Sequence, residues 1–500
     1  MAASSSNTSL AVAASQCAEQ IRQSVLRSER AQINTTTAAT PTDSQRCAWN
    51  RIESSSCFVL VCQSYPPTEI NGIVGLLKQQ LADISKSISF SGTVVDRVIL
   101  GDESNLCSSG LSILYHSPSI SPGLRTPNHQ LIAHPFYIGD MHGRQRLREV
   151  AVGRWHNKVT DRFKEQGLQS AQWISGTSTV TQATSHLVLP SELANSIDNP
   201  LLVEFVLFAT DKESRQTLDL LDSHFPQALK IGIVGAQTPF LNGREYTLFS
   251  DSQVYDTGMV GFAFSRTEQS KDKRCAHHDS LHVAHNGLEP VSEVLRILRC
   301  KGNVILEVEN GAAARSLLAS VRSRRITRPG SAEESSRLYA RIVPEKGSDQ
   351  SMMCQVTGGD PAKGGLALDT LRDLSAGQYI QFMMTAAGTV IESKPDPCIA
   401  EDAGPNTVVC NHTGVSMQFG AADLLENSTK HHHYRYSPIT KGNRRLLKPV
   451  FGGVTEGGFV YGRQSAEQPT SASKLSSYRS VFSGSVECSV PGSTVTLSLS

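Results

Sequence analysis

The chain has 500 residues, a formal net charge of +1, 39% hydrophobic and 19% charged residues, 38 glycines and 22 prolines. That length exceeds what one core usually organises and points to several domains or subdomains. The near-zero charge excludes a global field for nucleic acid or anionic lipid, and the longest apolar runs, 57–62 and 201–209, fall short of the ~20 residues of a membrane-spanning helix.

The first 50 residues are rich in Ser, Ala and Thr and hold one helix-like stretch, 14–26, so a mostly flexible segment with a single helix is expected. Arg22, Arg27 and Arg30 are interrupted by Glu19 and Glu29, which argues against a transit peptide. The pattern then reads strand (57–62), helix (68–85, apolar at Ile70, Ile73, Val74, Leu77, Leu81 and Ile84), strand (94–100) and strand (111–115), with Thr68 as N-cap. The same order returns at 201–209, 211–225, 231–234 and 258–264, where Leu218, Leu221 and Phe225 form the apolar stripe of the helix. Residues 118–196 read as an insertion between the copies. A third copy is expected near the end, with strands at 407–419, 450–454 and 493–499, and the basic stretch Arg322 to Arg337 reads as an exposed loop. The fold class is therefore α/β (α+β), built of repeated β-α-β-β units in layered sheets with packed helices.

The second unit carries the segments 202–208 (LVEFVLF), 230–236 (KIGIVGA) and 258–264 (GMVGFAF), with Pro226 and the Asn242-Gly243 turn between them. In this order they resemble the N-terminal domain of the FIST family, the F-box and intracellular signal transduction module. Gly287, Pro290 and 302–307 (GNVILE) resemble the start of the C-terminal FIST domain, 364–382 is similar to a later strand pair, and 448–453 (KPVFGG) to another strand. The resemblance implies two FIST subdomains, at about 51–275 and 280–500, and an intracellular role in sensing a small, amino-acid-like ligand. It also implies an alternative, a protein-interaction scaffold or a substrate-recognition component related to ubiquitin-ligase F-box proteins. Residues 1–50 lack the helical start of an F-box. Leu288 and Glu289 stand where the family has Cys-Arg, 410–414 (CNHTG) where it often has CNGRG, and Gly458 where it often has Glu, so the ligand's identity does not transfer.

Short polar groups beside glycines make Gln237, Thr238 and Asn242 of the first part, with Asn303 and Asn411 of the second, the candidate ligand-binding residues at a cleft between the parts. Catalytic, metal and cofactor residues are not expected. Cys275, His277, His278, His282 and His285 lack the paired short spacings of a zinc site, although His278 and His282 would share a helix face; His431 to His433 read as a surface tract. Asp140 to Gly143 (DMHG) suggests a third reading, a metal-dependent hydrolase, but the remaining ligands of a two-metal site are missing. No Gly-x-Gly-x-x-Gly order or Gly-x-Ser-x-Gly elbow occurs. Trp155, His156 and Trp173 in the insertion are the docking candidates of the scaffold reading. Eleven cysteines without a CxxC pair fit reduced thiols in the cytoplasm, with mitochondrion and nucleus left open.

Overall fold

The computed structural model describes residues 2–5, 9–36, 52–99, 106–118, 131–139, 188–266, 280–327, 337–345, 351–370, 372–385, 415–422, 450–462 and 484–499. Its first repeat opens with β1 (Ala2–Ser5) and α1 (Leu10–Thr36). Leu10, Ala13, Ala14, Cys17, Ile21 and Val25 recur every three or four residues and are buried, as one face of a packed helix requires. The N-terminal segment is thus more ordered than expected. Arg22 ties it to the body through Asp83 Oδ2 and Gln80 O, both at 2.8 Å, and Glu69 Oε2 accepts from Leu10 N at 3.1 Å.

Next come β2 (Ile52–Cys62), α2 (Pro67–Leu81), β3 (Ser85–Val95), β4 (Arg97–Ile99), β5 (Leu106–Cys107) and β6 (Leu111–His116). The α2 stripe is buried as the spacing predicts, but the helix starts at Pro67 without a side-chain cap. Proline at the first helical position has its φ preset and no N–H to satisfy, so Thr68 does not serve as N-cap. The strand expected at 94–100 begins at Ser85 instead, paired in parallel with β2 from Ile52 onward; Ser85, Ser91 and Thr93 are buried in it, with Ser85 Oγ donating to Ser87 O at 2.8 Å and Thr93 Oγ1 to Thr247 O at 3.0 Å.

The second repeat holds β7 (Leu131–Ile138), α3 (Ser191–Ser196), β8 (Val203–Thr210), α4 (Arg215–His224), β9 (Leu229–Val234), the one-turn α5 (Pro239–Asn242), β10 (Leu248–Ser250), β11 (Gln253–Tyr255) and β12 (Met259–Arg266). Part of the expected insertion, β7 and α3, therefore belongs to the repeat. Helix α4 starts four residues later than expected because Asp211 Oδ1 accepts from Glu213 N at 2.9 Å, a local turn that competes with helix.

The third repeat begins with β13 (Ser280–His285) and is then interrupted by β14 (Leu288–Pro290), β15 (Leu295–Lys301), β16 (Val304–Val308), β17 (Gly311–Ala312), α6 (Ala313–Thr327), β18 (Leu338–Val343), β19 (Met352–Gly359), β20 (Leu366–Leu368) and β21 (Tyr379–Thr385). Arg322 to Thr327 are helical, not loop. Strands β15-β16-β20-β19-β18-β21 pair in sequence and β21 returns to β15, closing an antiparallel barrel around Ile297, Ile342, Leu368, Ile380 and Phe382. The repeat resumes with β22 (Val415–Ala421), β23 (Val450–Thr455), β24 (Phe459–Gly462), β25 (Val486–Cys488) and β26 (Ser493–Leu499).

Three sheets of identical order result: β1-β6-β2-β3-β10-β11, β7-β12-β8-β9-β24-β25 and β13-β26-β22-β23-β4-β5. Each has a parallel central pair, β2–β3, β8–β9 or β22–β23, flanked by an antiparallel return strand. Each also receives a short strand pair from another repeat, so that the first repeat feeds the third sheet, the third feeds the second and the second feeds the first. Strands thereby cross the expected divide near 275–280, in the pairs β4–β23 and β9–β24. Gly92, Gly232 and Gly452 occupy the same position in the three parallel strands. A Cβ there would lie 1.9 Å from Val59 O, 2.3 Å from the Phe208 ring and 2.0 Å from Gln418 O, so the close approach demands glycine. One core joins the sheets, with Phe58 edge-on to Phe262 and Phe451 at 6.5 and 5.9 Å.

Candidate functional site

A cleft opens where the barrel meets the second sheet. Its walls come from the approach to α4 and its first turns (Lys212, Arg215, Asp219), from the barrel strand β19 and the loop after β20 (Met352, Asp369, Arg372), and from the donated strand β25 with the residue before it (Glu487, Ser485). It thus draws on residues from both expected halves of the chain.

The α4 wall is braced at its entry by Asp211. Asp211 Oδ2 accepts from Gly258 N at 2.8 Å while Oδ1 holds Glu213 N, fixing the approach to the helix. Ser214 sits at the N-cap, but its side chain makes no cap bond; its Oγ donates instead to Glu487 Oε1 at 2.6 Å. The helix gives up a cap, an interaction of about 1 kcal/mol, to hold a carboxyl group. Burial pushes that carboxyl up to about 7, against the Ser214 bond, which lowers it.

Behind this wall runs a buried ionic chain. Lys230 is fully buried on β9, with Nζ 3.2 Å from Asp222 Oδ1 and donating to Phe225 O. Asp222 also accepts from Ser485 N at 2.7 Å and Ser485 Oγ at 2.9 Å. From the barrel side the Arg372 guanidinium donates to Ser485 O; burial lowers its affinity for its proton, while Asp222 pulls the other way. These contacts, with Tyr461 Oη donating to Ser351 O at 3.0 Å, fasten barrel to body.

None of the described residues expected to bind ligand lines this cleft. Thr238 is buried, its Oγ1 paired with Thr247 Oγ1 at 2.7 Å, and Asn242 Nδ2 donates to Thr247 Oγ1 at 2.9 Å, so both brace the turn between β9 and β10. Gln237 is exposed beside them, Nε2 3.5 Å from Tyr246 Oη. Asn303 donates to Leu368 O at 2.8 Å and joins β16 to β20 inside the barrel. Asn411 lies outside the described residues, as do Asp140 to Gly143, Trp155, His156, Trp173, Cys275, His277, His278, Cys410, His412 and His431 to His433. His282 and His285 belong to strand β13, not to a helix; His285 Nδ1 faces Ser493 Oγ at 2.7 Å and burial lowers its imidazole to about 4. Among the described residues no three His, Cys, Asp or Glu converge on a metal position, and no helix is long and apolar enough to cross a membrane.

Sequence reasoning missed the cleft, yet two signals were present. Lys230 interrupts an otherwise apolar strand, 229–234 (LKIGIV), and Glu487 stands between Val486 and Cys488. A charge inside an apolar run needs a partner. No protein-family model matches this chain, and no curated protein is significantly similar to it.

Proposed function

We propose that the chain is a small-ligand sensing protein of the FIST type, holding an amino-acid-like molecule in the cleft between the barrel and the second repeat. The observation that carries this reading is the balanced lining: Lys212, Arg215 and Arg372 supply cations, and Asp219, Asp369 and Glu487 supply carboxyl groups. A zwitterion needs both signs within one small space, each charge meeting a counter-charge away from bulk water. Because the walls belong to barrel and body together, an occupant stabilises their docking, which is how binding becomes a signal. The free thiols of the seven described cysteines fit a reducing, cytoplasmic setting.

Thermal unfolding of the full chain against the twenty amino acids tests the reading. An amino acid at about 100 times its dissociation constant adds about 2.7 kcal/mol of stability, and Arg215→Ala should diminish the shift. Silence with all twenty would sink it. A second reading, the interaction scaffold, is favoured by Phe240, which stands fully exposed on the braced α5 turn as aromatic anchors do; equal partner capture by Phe240→Ala and the parent chain would count against it.

A further inference from the structure

The three repeats serve as internal controls for one another. In the donated strand pairs, Val460 faces Glu487, Ile99 faces Leu106 and Phe249 faces Val254. The neighbouring anchors Phe459, Val98 and Leu248 pair with Ile233, Gly453 and Thr93, each the residue after the equivalent glycine. Glu487 therefore occupies the position that the other two repeats fill with Leu106 and Val254. Of three equivalent places, only the one beside the cleft carries an acid. Fold stability does not call for it, since two copies of the same architecture do without it.

We infer that Glu487 is the seat for a primary ammonium group, and that the cleft selects ligands which carry one. This rests on the reading of the cleft proposed above and specifies its chemistry. One carboxyl oxygen is taken by Ser214 Oγ at 2.6 Å; the other accepts no hydrogen bond among the described residues. A single open acceptor suits the compact point charge of an ammonium and not the two-pronged fork of a guanidinium. A metal ion would require more carboxylates or imidazoles than converge here.

The groups facing Glu487 are Asp369 from the barrel, and Asp211, Lys212 and Ser214 from the approach to α4; Arg215, Asp219 and Arg372 complete the lining. In this setting burial keeps the empty site's carboxyl protonated into the neutral range. Binding then converts carboxylic acid and ammonium into a carboxylate–ammonium pair plus one released proton. No other bond changes.

Titration calorimetry of the full chain, in buffers of different ionisation enthalpy, tests this with three probes: glycine, glycine methyl ester and N-acetylglycine. The ester keeps the ammonium and loses the carboxylate; N-acetylglycine does the reverse. Glycine methyl ester should bind and release close to one proton at about pH 6, the release giving way to net proton uptake toward about pH 8, where much of the free ester's own amine is neutral and must be protonated to bind. Glu487→Gln, which keeps an acceptor for Ser214, should weaken the ester at least about tenfold and abolish proton release, while leaving the binding of N-acetylglycine unchanged. Unaltered ester affinity in Glu487→Gln, absence of proton release, or no heat with the ester overturns the inference. Ester binding without any amino-acid binding keeps it and removes the zwitterion reading. Glycine binding that survives Glu487→Gln keeps that reading and removes the inference.

Discussion

Replacing Lys230 by Met probes the ionic chain behind the cleft. The equivalent positions in the other repeats, two residues before Gly92 and Gly452, are Phe90 and Val450, both buried, so an apolar side chain fits the site sterically. The cost is electrostatic. Removing Nζ leaves Asp222 in the interior without its 3.2 Å partner, and stripping one member from a buried pair costs about 3–5 kcal/mol. Asp222 keeps both donors from Ser485, which sets the expected loss at the lower end, about 3 kcal/mol. Urea unfolding followed by circular dichroism at neutral pH measures it as a lower midpoint at constant slope. The cycle with Asp222→Asn sharpens the test: once the carboxylate is neutralised, loss of Lys230 should cost little more, a coupling of about 2 kcal/mol. A loss below about 1 kcal/mol for Lys230→Met, or simple additivity in the double variant, would refute the claim that this pair is structurally committed.

Gly452→Ala should destabilise by about 2–3 kcal/mol, since its Cβ meets the Gln418 carbonyl at 2.0 Å in a paired strand; Gly75→Ala on α2, with open space around it, is the control that should be neutral or stabilising in the same urea assay. Burial raises the Asp96 carboxyl to about 6, against the bond it accepts from Glu456 N. The folded protein thus holds this proton more tightly than the unfolded chain, and the stability it contributes below about pH 4 is lost as pH rises through about 6. Asp96→Asn should flatten that part of the thermal midpoint profile, a change of about 2 kcal/mol after solvent screening; an unchanged profile refutes it. His285 has the opposite sign. Its depressed imidazole contributes stability above about 6.5 that is lost as pH falls toward about 4, so His285→Asn should lessen acid sensitivity there, by up to about 1.4 kcal/mol per pH unit.

Much of the architecture was legible along the chain because it is local. The α2 stripe from Ile70 to Leu81 follows helical periodicity, the 203–210 and 229–234 strands are apolar runs, and the last two expected strands of the third copy match Val450–Thr455 and Ser493–Leu499, whereas the one expected at 407–419 is described only as Val415–Ala421. Where the reading slipped, the signal was non-local. β3 looks polar from Ser85 to Ser91 because much of that stretch is only partly buried, and pairing with β2, not apolar content, makes it a strand. Strands β4, β10 and β24 have three or four residues each, too few to show a period, and the sheet that takes them is built from another repeat. The closed barrel follows from the β18–β21 pairing, which no window along the chain contains.

The amino-acid sequence by itself determined the β-α-β-β pattern of the first two repeats and their helices, since propensity and periodicity act over a few residues. Tertiary structure alone decided the cyclic exchange of strands, the seam between barrel and body, and the meeting of Ser214 with Glu487 across 273 positions. Such contacts form only after the sheets have closed on one core. The energy of a buried charge then depends on partners that chain order does not reveal.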